Sequence, residues 1–131
     1  MIDIEADVFN RVYESVAPLV PNGCFKSMFV PNPPKFPFVT LMEMDNVTDA
    51  RRKTQTGTEE YAVITYEANV YAQDKFSCRE AMDALDKAMV QLNFTRLSMR
   101  FIPNLADSTI FRITARYRAA ADENKVIYRH R

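Results

Sequence analysis

The sequence is short of the residues on which most enzyme and metal sites depend. Its 131 residues include one histidine, two glycines, two cysteines and no tryptophan. Because the histidine, His130, is the penultimate residue, we expect neither a Ser-His-Asp triad nor a Cys-His pair within this chain. The glycines, Gly23 and Gly57, are too isolated for a phosphate-cradling loop. The composition therefore argues against nucleophilic and nucleotide-dependent enzymes.

The two cysteines, Cys24 and Cys78, form no Cys-x-x-Cys pair, so no metal and no cofactor is expected. The first nine residues, MIDIEADVF, do not resemble a secretory signal, from which we expect a cytoplasmic setting and reduced thiols. No apolar run approaches the roughly 20 residues of a membrane span. Two carboxylate pairs, Asp83 with Asp86 and Glu43 with Asp45, fit solvated faces without a convergent partner. We therefore expect a soluble protein that is not an enzyme.

Length and charge are those of one ordinary globular domain spanning residues 1–131. The 17 basic and 17 acidic residues cancel, and this balance argues against a dedicated DNA-binding protein. The charge is nevertheless uneven, because residues 96–131 hold eight Lys or Arg against three Asp or Glu. The two portions of the chain could attract each other or a neighbouring copy.

Two segments have the spacing of amphipathic helices. Apolar residues recur every four positions from Ile4 to Val16, with Asp3 as a cap, which predicts a first helix ending near Pro18. Ser77-Cys-Arg-Glu80 has the pattern of a capping box and predicts the start of a second helix, which Asn93 ends. Its apolar stripe consists of Ala81, Met82, Leu85, Ala88, Met89 and Leu92.

The rest of the chain predicts mainly strands. They span Cys24–Val30, Phe38–Asp45, Tyr61–Gln73, Thr95–Ile102 and Ser108–Ala120. Four prolines in residues 31–37 predict a stiff connection and leave a PxxP peptide ligand as the alternative. The order of elements predicts an α+β fold, with a mostly antiparallel sheet of about five strands packed by two main helices. Residues 126–131 are expected to form a short basic tail, with a possible edge segment at 126–128.

Residues 46–60, NVTDARRKTQTGTEE, are predicted to form a mobile polar loop. Their basic tip consists of Arg51, Arg52 and Lys53. A loop of about 15 residues in a compact domain is uncommon and is often functional. The segment is either a loop that becomes ordered on contact with a partner or an ordinary solvated loop, and its basic tip makes contact with phosphate a further interpretation.

The segment before Ala120 alternates with a period of two, which puts successive side chains on opposite faces of a sheet. Combined with the preceding strand, this pattern predicts a row of five arginines on one face: Arg96, Arg100, Arg112, Arg116 and Arg118. Such a row could bind nucleic acid, or it could meet carboxylates on other strands or other copies of the chain. The candidate carboxylates are Glu43, Asp45, Glu67 and Asp74. We interpret the row, together with Glu67, as a candidate subunit interface.

Residues 61–129 resemble the tail terminator, or tail completion, proteins of long-tailed phages. The most specific portion is residues 103–117, PNLADSTIFRITARY. The resemblance implies an α/β sandwich that assembles into a hexameric ring at the head-proximal end of the tail tube, in the neck of the virion. It further implies that the ring forms in the host cytoplasm, stops tube polymerisation and offers a surface to the head connector or head-completion protein.

The partners implied by this resemblance are further copies of the chain, the tail tube protein and the connector, with Arg51, Arg52 and Lys53 as candidate contacts. Genomic DNA would pass through the ring without sequence-specific binding, and no membrane is involved. The alternative is a small accessory protein that binds nucleic acid through the arginine-rich sheet near the C-terminus. The chain lacks the exposed aromatic residues interleaved with basic ones that single-strand binders use.

Overall fold

The structure is a computed structural model that describes residues 1–48, 61–103 and 107–129. The elements in chain order are α1 (Glu5–Val16), a 3-10 turn (Ala17–Leu19), β1 (Phe25–Lys26), β2 (Phe38–Thr48), β3 (Tyr61–Ala72), α2 (Lys75–Gln91), β4 (Thr95–Pro103), β5 (Phe111–Asp122) and β6 (Ile127–Arg129). The strands form one sheet in the order β1-β2-β3-β5-β4, and β6 also pairs with β5. The β1–β2 pair is parallel and the other pairs are antiparallel. The predicted α+β fold is confirmed.

Both helices pack on one face of the sheet, where the main core lies. Alternate residues of β3, from Ala62 through Tyr66 to Ala72, point to this face and are at most 1% exposed. Alternate residues of β5, from Ile113 to Ala121, are buried beside them, as the period of two requires. Small alanines among these larger side chains leave room for a helix close to the sheet. The sequence therefore identified the buried face of both central strands.

The ends of α2 differ from the sequence prediction at one terminus and agree at the other. The helix begins at Lys75, and its cap is Asp74, whose Oδ2 accepts a hydrogen bond from the Ser77 amide at 2.8 Å. The predicted Ser77 capping box is wrong, because Asp74 lies in extended backbone one turn earlier and reaches the same orphan amide first. At the other end, Asn93 takes the left-handed conformation (φ 70°) that terminates helices.

Strand β1 is only two residues long, whereas a strand over residues 24–30 was expected. The proline-rich segment that follows cannot continue the pairing, since proline lacks an amide hydrogen. Instead, Val30 and Phe36 pack on a second, smaller apolar cluster of Cys24, Phe38 and Tyr71. The proline-rich region, which was predicted to be a stiff connection, thus also covers part of the sheet.

One segment that was expected to be irregular contains strand, and the edge segment expected near residues 126–128 forms one residue later. β2 runs to Thr48, three residues into the segment predicted as a loop, with Thr48 opposite Ala62 on β3. Residues 127–129 form β6, and Asn93 donates a side-chain hydrogen bond to the Ile127 carbonyl at 3.0 Å. Residues 49–60, including Arg51, Arg52 and Lys53, lie outside the described part of the chain.

Candidate functional site

The face of the sheet opposite the helices carries most of the predicted arginine row. We call it the open face. The registers assign it Thr65, Glu67, Asn69 and Tyr71 of β3, Arg112, Thr114, Arg116 and Arg118 of β5, and Ser98 and Arg100 of β4. Four of the five predicted arginines therefore share one face.

Arg112 is held within its own sheet by an amide. Its Nε and Nη2 donate to the Oδ1 of Asn69 at 3.0 and 2.8 Å, and its guanidinium lies 5.4 Å from the ring centroid of Tyr71. Asn69 is 1% exposed, so this contact orients the arginine from a buried position. Because the acceptor is a neutral amide, the contact leaves the positive charge of Arg112 without a paired carboxylate.

Arg116 forms an ion pair with Glu67, one of the carboxylates that the sequence predicted as partners. Its Nη2 lies 3.1 Å from Oε2 of Glu67, which is directly opposite on β3. The other carboxylate oxygen of Glu67 accepts a 3.3 Å hydrogen bond from Nδ2 of Asn69. A continuous polar chain therefore runs Tyr71–Arg112–Asn69–Glu67–Arg116 across two strands. Direct cross-strand pairs of this kind are the units that stabilise a sheet.

Arg96 is the exception, and its predicted position with the other arginines is wrong. An irregularity between Arg96 and Ser98 shifts the β4 register, so that Arg96 lies opposite Tyr117 and faces the helices. There its Nη1 is 3.4 Å from Oδ1 of Asp86 on α2, and the Tyr117 hydroxyl donates to the same oxygen at 2.8 Å. Arg96 thus links β4 to α2.

The remaining arginines of the open face, Arg100 and Arg118, have no hydrogen bond or ion pair with any described residue. Among the four candidate carboxylates, Glu67 alone takes an arginine in this part of the structure. Asp74 caps α2, and Glu43 accepts a 3.4 Å hydrogen bond from Tyr66. Asp45 is exposed and, like Arg100, lacks a described partner. Among the described residues, Arg116 is therefore the one arginine of the open face that is paired with a carboxylate.

Burial shapes the titration of the groups at this sheet. Desolvation raises the pKa of the Glu43 carboxyl above its ordinary value, and hydrogen bonds from Asn46 and Tyr66 partly offset it. Desolvation, with help from nearby carboxylates, also raises the pKa values of Tyr66 and Tyr117. These phenols stay protonated at neutral pH and act as structural donors.

A groove of about 380 Å³ runs between α2 and β4, next to the edge of the sheet. It is lined by Arg79, Met82, Asp83, Asp86, Arg96, Met99, Arg100, Phe101 and Ile113. Neither the groove nor the role of Asn69 was predicted from the sequence. A signal existed for each: apolar residues alternate with arginine along β4, and Asn69 lies beside Glu67 on the polar face of β3, opposite the arginine-bearing strand.

The described residues form no candidate metal site. They bring together no group of three His, Cys, Asp or Glu side chains that could hold a metal ion. Cys24 and Cys78 are both free and buried, as expected for core thiols. Within the same residues, no helix has the length and apolar character needed to cross a membrane.

The chain shares its fold with a component of a virion. A solved chain from the virion of a native gene transfer agent (GTA) particle superposes with a TM-score of 0.59. The match covers 82% of this chain and 88% of that chain, at 18% sequence identity. Identity this low establishes likeness of fold and nothing finer. No protein-family model matches the sequence, and no curated protein matches it.

Proposed function

We propose that this chain is a structural protein of a tailed phage or phage-like particle. In this proposal it forms a ring at the head-proximal end of the tail tube, stops tube polymerisation and offers the surface on which the head connector or head-completion protein docks. The ring would assemble in the host cytoplasm and remain in the neck of the virion. The role is structural rather than catalytic.

The observation that carries the proposal is the fold shared with the gene transfer agent chain over most of both lengths. That likeness supports a role in a virion. The more specific role rests on the resemblance of residues 61–129, above all PNLADSTIFRITARY, to tail terminator proteins. Structure and sequence resemblance thus point independently to the same kind of particle.

The size of the chain suits a conduit. A domain of 131 residues has a radius of gyration of about 14 Å and a diameter of roughly 35 Å. Six such bodies in contact around an axis leave an opening of about 35 Å, which is wider than duplex DNA. A homo-hexamer is therefore a geometrically sensible ring.

The open face also favours a conduit over a DNA-binding track. Its four arginines share the face with the carboxylates of Asp45, Glu67 and Asp122, and two of the arginines are held within the sheet. Each phosphate contact strengthens DNA binding, so a bare arginine row would slow the passage of the genome. Glu67 neutralises Arg116, and the carboxylates of Asp45 and Asp122 lower the net positive charge of the face, which reduces that penalty.

We assign the subunit contacts to the predicted set of Arg96, Arg100, Arg112, Arg116, Arg118 and Glu67, with different weights. Arg100 and Arg118 are available to a neighbouring copy, since neither has a partner among the described residues. Arg112, Arg116 and Glu67 already hold their own sheet together. Arg51, Arg52 and Lys53 remain our candidates for contact with the tail tube or connector.

Light scattering behind size exclusion over a concentration series, with negative-stain images of the largest species, tests the proposal. We expect open rings of six copies, either alone or after purified tail tubes are added. A monomer under both conditions would contradict ring formation. Strong, salt-sensitive binding of that monomer to DNA would favour the nucleic-acid-binding alternative, for which Arg100 and Arg118 are the available side chains.

A further inference from the structure

The two edges of the sheet carry opposite charges and exposed apolar side chains. One edge is β4 from Arg96 to Pro103, the last strand in the sheet order. The other is β2 from Met42 to Val47, beyond the two positions where β1 pairs. No described strand covers the outer side of either segment. We call them the β4 edge and the β2 edge.

Both edges expose apolar side chains that contact with another chain would bury. On the β4 edge these are Leu97, Met99 and Phe101, and on the β2 edge Met44 and Val47; each retains between 37% and 52% of its accessible surface. An uncovered edge strand with apolar side chains is a template for pairing with another chain. Met82 and Ile113, which are nearly buried, line the groove beside the β4 edge.

Charge distinguishes the two edges. The β4 edge carries Arg96 and Arg100, with Arg79 on the far side of the groove, and Asp86 neutralises Arg96. The β2 edge carries Glu43 and Asp45 on either side of Met44, which lies at an irregularity in the β2–β3 register. Pairing of two β4 edges or of two β2 edges would place charges of the same sign against each other. Pairing of a β4 edge with a β2 edge places arginine against carboxylate.

Strand direction and side-chain faces fit the same pairing. Because β2–β3, β3–β5 and β5–β4 are all antiparallel, β2 and β4 run in opposite directions. A second copy placed side by side would therefore extend the sheet with an antiparallel β4–β2 pair. Asp45, opposite Thr65, and Arg100, opposite Thr114, both belong to the open face, so the two would meet on one side.

We infer that the β4 edge and groove of one copy bind the β2 edge of the next copy, with Met44 against the groove and Asp45 against Arg100. This inference rests on the proposed ring and names its subunit contact. The interface joins two different surfaces, so it repeats head to tail and closes into a ring when the rotation between copies allows it. A contact between identical surfaces would stop at a dimer.

Charge reversal tests the pairing, because a head-to-tail contact predicts that two variants which cannot form rings alone will form rings when they are mixed. Arg100→Glu and Asp45→Arg should each abolish rings at concentrations where the wild-type chain forms them, leaving monomers in light scattering. The double variant should form rings again. An equimolar mixture of the two single variants should also form rings, because every contact in an alternating ring then joins opposite charges.

Matched controls keep the test interpretable. Neither Arg100 nor Asp45 has a described partner within its own chain, so both variants should fold, which circular dichroism and thermal unfolding verify. Glu14→Arg on the exposed side of α1 and Lys35→Glu in the proline-rich segment reverse charges away from both edges and should leave ring formation unchanged.

The outcomes separate this inference from the function on which it rests. The edge pairing would be overturned if both single variants still form rings as the wild-type chain does. It would also be overturned if neither the mixture nor the double variant restores the rings that the single variants lose. Either result would leave the proposed ring intact. A wild-type chain that remains monomeric with and without tail tubes would overturn the ring and the edge pairing together.

Discussion

At the scale of residues, the open face is organised by one buried amide. Asn69 accepts both guanidinium hydrogen bonds of Arg112 and donates to Glu67, which in turn pairs with Arg116. An amide can serve both roles because it carries an acceptor oxygen and donor hydrogens on one planar group. The arrangement keeps two arginines in place without burying a second carboxylate.

Replacing Asn69 should therefore destabilise the sheet more than its small volume suggests. We expect Asn69→Ala to lower the free energy of unfolding by about 1–3 kcal/mol, because the half-buried Arg112 then lacks its acceptor. Thr65→Ala, on the same strand and face, is the matched control and should cost less. Urea unfolding of both variants measures the difference, and equal costs would contradict a special role for Asn69.

Alkaline pH should weaken the fold through three buried groups. Burial raises the pKa of the Cys78 thiol to about 11, and the pKa values of Tyr66 and Tyr117 are also raised. A group with a raised folded-state pKa keeps its proton longer in the native state, so its stabilising contribution is complete below the unfolded pKa and is lost above it. We expect the free energy of unfolding to be level near pH 8 and to fall from about pH 9 upward.

Urea titrations at pH 7, 9, 10 and 11 would measure this fall, and an unchanged unfolding midpoint would contradict it. Cys78→Ala supplies the control, because it removes the thiol and should flatten the earliest part of the decline. The thiol hydrogen-bonds to the Val70 and Phe111 carbonyls at 3.4 and 3.7 Å, in a site with no exposed surface. Iodoacetamide should accordingly modify Cys78 only after unfolding.

At the scale of elements, the start of α2 illustrates how two plausible caps compete. Asp74 and Ser77 are both residue types that favour the N-terminus of a helix. The structure assigns the cap to Asp74, and the amide of Ser77 becomes the donor it satisfies. These hydrogen bonds lower the pKa of the Asp74 carboxyl, so the cap is ionised at neutral pH.

Substitutions at these two positions should therefore have unequal effects. We expect Asp74→Ala to lower the midpoint of thermal unfolding, because the first turn of α2 loses its acceptor. Asp74→Asn should retain most of the stability, since its amide oxygen can accept the same hydrogen bond. Ser77→Ala preserves the backbone donor and should change the midpoint less than Asp74→Ala. The reverse order in a calorimetric comparison would restore Ser77 as the cap.

At the scale of the whole molecule, the proposed ring requires surfaces for neighbours, tube and connector. The helices cover one face of the sheet, and part of the other face is covered by Val30 and Phe36 of the proline-rich region. In the described part of the chain, the rest of the open face and the β2 and β4 edges have no strand or helix over them, and our proposal places the contacts between copies there. Residues 49–60 join β2 and β3 at the end of a long hairpin, which suits our proposal that they reach the tube or connector.

Shortening that connection should separate assembly of the ring from control of tail length. β2 and β3 pair as far as Thr48 and Ala62, so a glycine-containing turn of three residues in place of residues 49–60 leaves, with Tyr61, a four-residue hairpin loop in the same register and should preserve the fold. We expect normal rings but tails of uncontrolled length in electron micrographs. A triple variant, Arg51→Ser with Arg52→Ser and Lys53→Ser, keeps the loop length and tests the charges alone. Tails of normal length from the shortened protein would exclude this segment as the contact.

The fold class and the faces of the central strands follow from the amino-acid pattern alone. A period of two assigned Tyr66 and Tyr117 to the core and Arg112 and Arg116 to the opposite face, because alternation is a local property of extended backbone. The same local logic found both helices and the asparagine that ends α2. These features can be predicted without knowing which strands are neighbours in the sheet.

The positions where strand alternation is interrupted, and the pairs of side chains that contact each other, depend on the tertiary structure. One irregularity in the pairing of β4 turned Arg96 toward Asp86, although its spacing matched the other arginines. The choice of Asn69 over a carboxylate for Arg112 depended on the β3–β5 register, and the groove depended on how α2 lies over β4. Such contacts join residues far apart in the chain, so their geometry follows from packing rather than from periodicity.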